Sequence, residues 1–277
     1  MNETPFQEPI ERMSVLLYHA VVWHRPQGLA PRERKFWMDS GNFRRHLSLL
    51  AESPHPVVPL RDAWRARTRS PLGTSLLQAP AAFHPAVLTF DDGWESDLAI
   101  VWPRVLAAGF PATFFVNTST LGRPGHLCWN EVRRMSEEGA SFQSHSHRHI
   151  DLTRLPWPEL VTELKISKDL LEGWVKRPVD FLSVPYGRVN RKVTDAAREA
   201  GYRAVCTSDP RPARPGTETI SRVAIHASTK PSELADLIAG RRISYWSRSA
   251  RAMLLSPVKP FLRLPSPKRK LQPEVAP

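Results

Sequence analysis

Residues 86–93 read Ala86-Val-Leu-Thr-Phe-Asp-Asp-Gly93, and the rest of the chain is interpreted around this stretch. Apolar and β-favouring residues run directly into two adjacent carboxylates and a glycine, which is typical of a buried strand that ends in a charged turn. In parallel α/β sheets, the loops after the strands build the pocket. Asp91 and Asp92 are therefore placed where a metal or a substrate could be held, although Asp-Asp-Gly is also ordinary turn chemistry.

Strands and helices are predicted to alternate along the chain. Short apolar runs predict strands over 13–19, 57–60, 86–90, 112–116, 141–144, 179–184, 203–207 and 220–225. Apolar residues at helical spacing predict helices over 40–50, 61–69, 96–108, 129–138, 158–174, 191–200 and 231–239. This alternation predicts an α/β fold with a mainly parallel sheet, closed or nearly closed as a (β/α) barrel, in a single domain.

The positive charge of the chain is concentrated at its C-terminal end. Of the net charge of +12 over 277 residues, +8 falls on residues 241–277 and only +4 on the preceding 240. The body is therefore not a basic nucleic-acid surface, and no nucleic-acid partner is expected. The basic, proline-containing segment 241–277 is either a solvated extension or a peripheral contact with an anionic membrane.

Sequence features also give an expected compartment. No segment reaches the roughly 18 consecutive apolar residues of a membrane span, and the first residues lack the pattern of a secretory signal. We expect a cytoplasmic protein, associated with the inner membrane face if segment 241–277 binds lipid. Cys128 and Cys206 form neither a disulfide framework nor a cysteine-rich metal site.

A second polar cluster follows the strand predicted over 141–144. It contains three histidines, His145, His147 and His149. The i, i+4 pair His145 and His149 shares a side in a helical turn or an extended segment, whereas His147 joins the pair only if the segment is extended. Two histidines and one aspartate leave coordination positions open, as in a catalytic zinc site. The alternative is a polar loop with incidental histidines.

A third cluster, Pro185-Tyr-Gly187, ends the strand predicted over 179–184. Pro-Tyr-Gly alone is a common turn. Its position is more informative, because three strand ends carrying Asp-Asp-Gly, His-Ser-x-x-His and Pro-Tyr-Gly would converge on one barrel mouth.

These motifs resemble those of the polysaccharide deacetylases with a NodB-type chitooligosaccharide deacetylase domain, carbohydrate esterase family four. Residues 89–93 match the first motif of that family, residues 144–149 with Asp151-Leu152 the second, and residues 184–187 most of the third. The resemblance covers about 13–240, leaving 1–12 as an N-terminal extension and 241–277 as the basic tail. It implies a distorted (β/α)₇ barrel that removes N-acetyl groups from amino-sugar residues of a polysaccharide or a lipid-linked glycan.

The resemblance also implies roles for individual residues. Asp92, His145 and His149 correspond to the ligands of a divalent metal, expected to be Zn²⁺, and Asp91 corresponds to the catalytic base. The backbone N–H of Tyr186 would stabilise the oxyanion, and Pro185 and Tyr186 would contact substrate. The general acid of the family is a histidine after a late strand, so His226 is one candidate, and His19, which also ends a strand, is another.

One departure from the family concerns the partner of Asp91. Many members have arginine, paired with the catalytic aspartate, where this chain has Ser183. Arg148, Arg188 and Arg222 are candidates to supply the missing cation. Three other functions stay open: a non-catalytic glycan-binding protein on the same fold, a different metal-dependent hydrolase of non-peptide amides, and an iron oxygenase, since two histidines and a carboxylate also bind Fe(II).

Overall fold

A computed structural model describes residues 10–23, 34–66, 84–241 and 243–248. Residues 1–9 of the expected N-terminal extension and 249–277 of the basic segment lie outside the described residues. In the described part of the chain, no helix is both long enough and apolar enough to cross a membrane.

Eight strands form one curled, parallel sheet. In chain order the strands of the structure are β1 (Ser14–Tyr18), β2 (Val21–Val22), β3 (Met38–Asp39), β4 (Ala86–Asp92), β5 (Ala112–Val116), β6 (Ser141–Ser144), β7 (Phe181–Ser183), β8 (Ala204–Cys206), β9 (Thr219–Ile220) and β10 (Val223–Ala224). The large sheet has the order β10-β1-β4-β5-β6-β7-β8-β9, and β2 and β3 form a separate parallel pair. The predicted distorted barrel in a single domain is thereby confirmed.

Helices follow most of the strands of the large sheet. They are α1 (Ser40–Glu52), α2 (Leu60–Arg65), α3 (Trp102–Ala107), α4 (Trp129–Glu137), α5 (Trp157–Val175), α6 (Arg191–Glu199) and α7 (Pro231–Ile238). Residues 243–248 are also helical. Asp39 caps α1, because its side chain accepts hydrogen bonds from the N–H groups of Gly41 and Asn42.

The first half of the helix predicted over 96–108 is not α-helical in the structure. Asp97–Val101 forms a π-helical turn, and the α-helix begins only at Trp102. Pro103 lies in the first turn of α3, directly after this π-helical turn.

Two strand predictions are wrong in detail. Within 57–60, only Val57 pairs, in a bridge to Ala86, and Leu60 already begins α2 after the capping residue Pro59. The strand predicted over 220–225 is split, because β9 pairs with β8 and β10 pairs with β1. The short connection between them therefore links the two end strands of the curled sheet, which are not paired with each other.

Alternation along β4 determines what faces the barrel interior. Leu88 and Phe90 pack in the larger core cluster with residues of the surrounding helices. Val87 packs with Phe115 in the smaller cluster inside the barrel. Because side chains alternate along a strand, Asp91 shares the interior face with Val87 and is buried there. The apolar strand thus delivers one carboxylate into the barrel.

Candidate active site

The ends of β4 and β6 bring the three predicted metal ligands together. The Oδ1 atom of Asp92 lies 3.4 Å from Nε2 of His145 and 3.5 Å from Nε2 of His149. One potential ligand atom of each residue lies within 4.8 Å of the other two. A divalent cation bonded to carboxylate and imidazole atoms at about 2 Å needs such a spacing. The donor set and its geometry therefore fit a metal.

Left-handed backbone conformations aim these side chains. Asp92 has φ 84° and His149 has φ 54°, values that are uncommon for non-glycine residues and frequent at functional sites. At Gly93, with φ 71°, an added Cβ would lie 2.8 Å from Cγ1 of Val116. Only glycine fits this position, so the Asp-Asp-Gly motif is required by both conformation and space.

Neighbouring groups hold each ligand in place. Nδ1 of His145 donates to the backbone oxygen of Ser183 at 2.8 Å, which leaves Nε2 facing Asp92. Nε1 of Trp94 donates to Oδ2 of Asp92 at 3.3 Å. The ring of His149 packs edge-on against Tyr186, with centroids 5.0 Å apart. These contacts fix the ligand orientations before any cation binds.

The site favours positive charge. Burial disfavours the charged form of His145, but the carboxylates of Asp91 and Asp92 outweigh burial and raise its pKa above 6.5. Burial likewise opposes ionisation of Asp92, yet its hydrogen bond to His145 and the charge of His19 lower its pKa below 3.8. A bound cation would satisfy the same carboxylates that hold this proton.

His147 does not join the other two histidines. Its Nδ1 lies 2.8 Å from Oγ1 of Thr118. The buried carboxylate of Glu163 accepts from the N–H groups of His147 and Arg148 and from Nε of Arg148, at 3.0, 2.6 and 2.7 Å. Glu163 thus shapes the histidine loop from α5. Its position in the middle of a helix carries no motif that would reveal this role.

Arg222 is the charge partner of Asp91. Its Nη1 and Nη2 atoms lie 2.7 and 2.8 Å from Oδ1 and Oδ2 of Asp91, a two-pronged ion pair with the arginine fully buried. Nη2 also donates to Oγ of Ser183 at 2.7 Å, and that hydroxyl donates to Asp91 at 3.0 Å. Burial opposes ionisation of Asp91, but Arg222 and His145 lower its pKa below 3.8.

The other two arginine candidates are wrong. Arg148 pairs with Glu163, and Arg188 pairs with Asp151. Arg222 reaches Asp91 because it lies between β9 and β10, where the chain crosses from one end of the sheet to the other.

The two candidate acids occupy different surroundings. His19 follows β1. Burial lowers its pKa, although the charges of Asp92 and Asp91 act in the opposite direction. The buried Nδ1 atom of His19 has no hydrogen-bond partner among the described residues. The pKa of His226 is lowered to about 4 by burial and by Arg248. Phe36 contacts both rings, with centroids 4.4 Å from His19 and 5.3 Å from His226. Of the two imidazoles, that of His19 interacts with the metal-ligand cluster.

Aromatic rings surround the cluster, and the sequence could not show which ones. Trp94 stacks on His126 with centroids 4.7 Å apart and contacts Trp37 at 5.1 Å. Tyr186, which has φ 61°, is 65 % exposed beside His149. In the sequence, only the position of Trp94 two residues after Asp92 indicates an aromatic residue of this set.

Comparisons with known proteins show which proteins this chain is similar to. The family model described as polysaccharide deacetylase matches residues 79–205. The peptidoglycan-N-acetylglucosamine deacetylase of Bacillus cereus is 31% identical over 158 residues, which cover 54% of this chain and 70% of that relative. The Bacillus subtilis protein YxkH is 29% identical over 200 residues, which cover 72% of this chain and 65% of that relative.

A solved structure extends the likeness to the whole barrel. The Streptococcus pyogenes deacetylase PplD, solved with acetate, superposes with a TM-score of 0.69 at 24% identity over 83% of this chain and 99% of that one. At this identity the superposition shows the shared fold. Together with the matched family model and the Bacillus cereus relative, it leads to one conclusion: the chain belongs to the polysaccharide deacetylase family.

Proposed function

We propose that the protein is a metal-dependent hydrolase that removes N-acetyl groups from amino-sugar residues of a polysaccharide or a lipid-linked glycan. One observation carries this proposal: a cluster of two histidines and Asp92 suited to a metal lies beside a second aspartate, Asp91, that Arg222 keeps ionised. The Oδ2 atom of Asp91 is 3.8 Å from Nε2 of His145. Base and metal ligands thus face the same point in space.

Asp92, His145 and His149 would hold the cation, for which Zn²⁺ is the best candidate because these ligands leave coordination positions open. When bound, Zn²⁺ lowers the pKa of a water molecule and polarises the amide carbonyl. The hydrogen bonds from Trp94 to Asp92 and from His145 to the Ser183 carbonyl keep the ligands in place.

Asp91 would take the proton of the attacking water. It is buried and ionised, and its position one residue from a ligand puts it within reach of that water. Arg222 and Ser183 would fix the carboxylate so that its orientation does not depend on substrate. The backbone N–H of Tyr186 would stabilise the oxyanion.

Tyr186 and Pro185 would contact the sugar at the rim of the site. The phenol of Tyr186 donates to the backbone oxygen of His149 at 3.3 Å, so this exposed ring stays beside the cluster. Trp94 and Trp37 add apolar surface of the kind that packs against sugar rings.

His19 would be the general acid that protonates the leaving nitrogen. Its support is the buried, unpartnered Nδ1 and its electrostatic contact with Asp92 and Asp91. We expect His19→Gln to lower kcat by about 10²-fold or more and to remove the alkaline limb of the pH–rate profile. The matched variant His226→Gln should keep that limb. Loss of the limb in His226→Gln instead would assign the acid to His226.

The function is tested by measuring acetate released from N-acetylglucosamine oligomers and from lipid-linked N-acetylated glycans. We expect release to stop after chelation and to return with Zn²⁺, while elemental analysis shows zinc lost in Asp92→Ala. Release that is indifferent to the chelator would contradict the metal-dependent mechanism. Stoichiometric zinc with no release from any glycan would favour a glycan-binding role.

A further inference from the structure

The two most exposed large apolar side chains in the described part of the chain lie on its last helical segment. Ile243 is 72 % exposed and Trp246 is 71 % exposed, in the helical residues 243–248. Residues three apart in a helix lie on the same face. Ile243 and Trp246 therefore form one exposed apolar surface, here called the Trp246 face.

Tyr245 and Arg248 fix this helical segment to the barrel. The hydroxyl of Tyr245 lies within hydrogen-bond distance of Oγ of Ser14, at 2.7 Å, and of the backbone oxygen of Leu237, at 3.0 Å. Nε of Arg248 donates to Glu233 at 2.8 Å. Because the barrel side of the segment is held by buried hydrogen bonds, the Trp246 face is presented to solvent in a fixed orientation.

The sequence that follows contains further apolar residues and a strong positive charge. Among the apolar residues are Ala250, Met253 and Leu254. Residues 249–277 also contain six Lys or Arg and a single acidic residue, Glu274. An apolar helix face with tryptophan beside basic residues is typical of segments that lie in the interface of an anionic membrane.

We propose that the Trp246 face docks the protein peripherally on an anionic lipid surface, and that the positive charge of the sequence after it favours this docking. The charge is complementary to acidic headgroups, and tryptophan is the side chain that prefers the level of the headgroups. A nucleic acid would match the charge but would gain little from Ile243 and the apolar residues beyond it. The proposal does not depend on the proposed deacetylase activity.

The test is co-sedimentation of the full chain with phosphatidylcholine vesicles that do or do not contain phosphatidylserine. We expect binding only to the anionic vesicles, weakening as salt is raised from about 0.1 M to about 1 M. The variant Ile243→Gln/Trp246→Gln should lose about tenfold or more of this binding. The matched control Trp157→Gln/Ile166→Gln, which changes the same residue types at exposed positions of α5, should bind as the unchanged protein does.

Equal binding of the Ile243→Gln/Trp246→Gln variant and the unchanged protein would overturn the proposal, as would equal binding to neutral vesicles. Gel filtration that shows a dimer lost only in this variant would assign the Trp246 face to a second copy of the chain. Duplex DNA that displaces the protein from vesicles and binds it more tightly would assign the basic segment to nucleic acid. Acetate release from soluble oligomers should be the same in all three proteins, which separates this test from a failure of the active site.

Discussion

Asp91→Asn is expected to lower acetate release per folded, zinc-loaded molecule by about 10³-fold or more. The amide keeps the size of the carboxylate but cannot take a proton from water. It also leaves the buried charge of Arg222 without its partner, so the free energy of unfolding should fall as well. Turnover is therefore measured well below the melting temperature, with zinc content and circular dichroism recorded on the same sample.

A second buried aspartate near the site provides the matched control. Asp97 is fully buried, and burial together with the nearby charge of Asp92 raises its pKa well above 3.8. Asp97→Asn makes the same carboxyl-to-amide change at a buried position while the pair of Asp91 with Arg222 stays intact, so it should change turnover only a few-fold. If Asp91→Asn retained full turnover, Asp91 would not be the base, and if both variants lost turnover equally, the effect would come from the surrounding structure.

Motifs that are contiguous in sequence predicted their part of the site well. Asp91 and Asp92 end β4, Gly93 follows it directly, and His145 follows β6, so strand ends alone place them at the same edge. The pairing of parallel neighbours β4, β5 and β6 then brings the side chains together. For these residues, local pattern and global fold agree.

Residues that depend on barrel closure could not be predicted in the same way. Arg222 is 131 positions from Asp91, and the run Ile220–Ile225 resembles one continuous strand. It splits because its two halves pair with opposite ends of the sheet, which is a property of the curled sheet as a whole and not of the local sequence. The same reason separates His19 from His226, since only the folded chain shows which imidazole meets the carboxylates.

Arg222→Met is expected to lower the free energy of unfolding by about 3–5 kcal/mol, because it leaves the buried carboxylate of Asp91 without its cation. The urea midpoint of the chelator-treated protein measures this loss. Arg188→Met, which breaks an ion pair in which Arg188 is exposed, is the control and should cost about 1 kcal/mol or less. Equal losses in the two variants would show that the Asp91–Arg222 pair is not the source.

The free energy of unfolding that is lost in Arg222→Met should depend on pH. In the unchanged protein the pKa of Asp91 lies below 3.8, so the stability from its pairing is present above that pH and is lost as the pH falls further. In Arg222→Met, the guanidinium no longer counteracts the effect of burial on Asp91. The pKa of Asp91 is therefore higher than in the unchanged protein, and the folded state takes up a proton at higher pH. The difference in stability between the two proteins should therefore grow as the pH rises from about 4 to about 7.

A double variant that moves the arginine from position 222 to position 183 tests whether stability needs only the positive charge or also its entry point. Oγ of Ser183 lies 3.0 Å from Oδ2 of Asp91, so Ser183→Arg in an Arg222→Ser background can supply a guanidinium from β7 into the space that Arg222 leaves. We expect the swap to regain more than half of the stability lost in Arg222→Met and to retain zinc. If the swap is no more stable than Arg222→Met, the pair depends on the entry of arginine between β9 and β10. The ion pair would then also serve to hold the barrel closed beside its catalytic carboxylate.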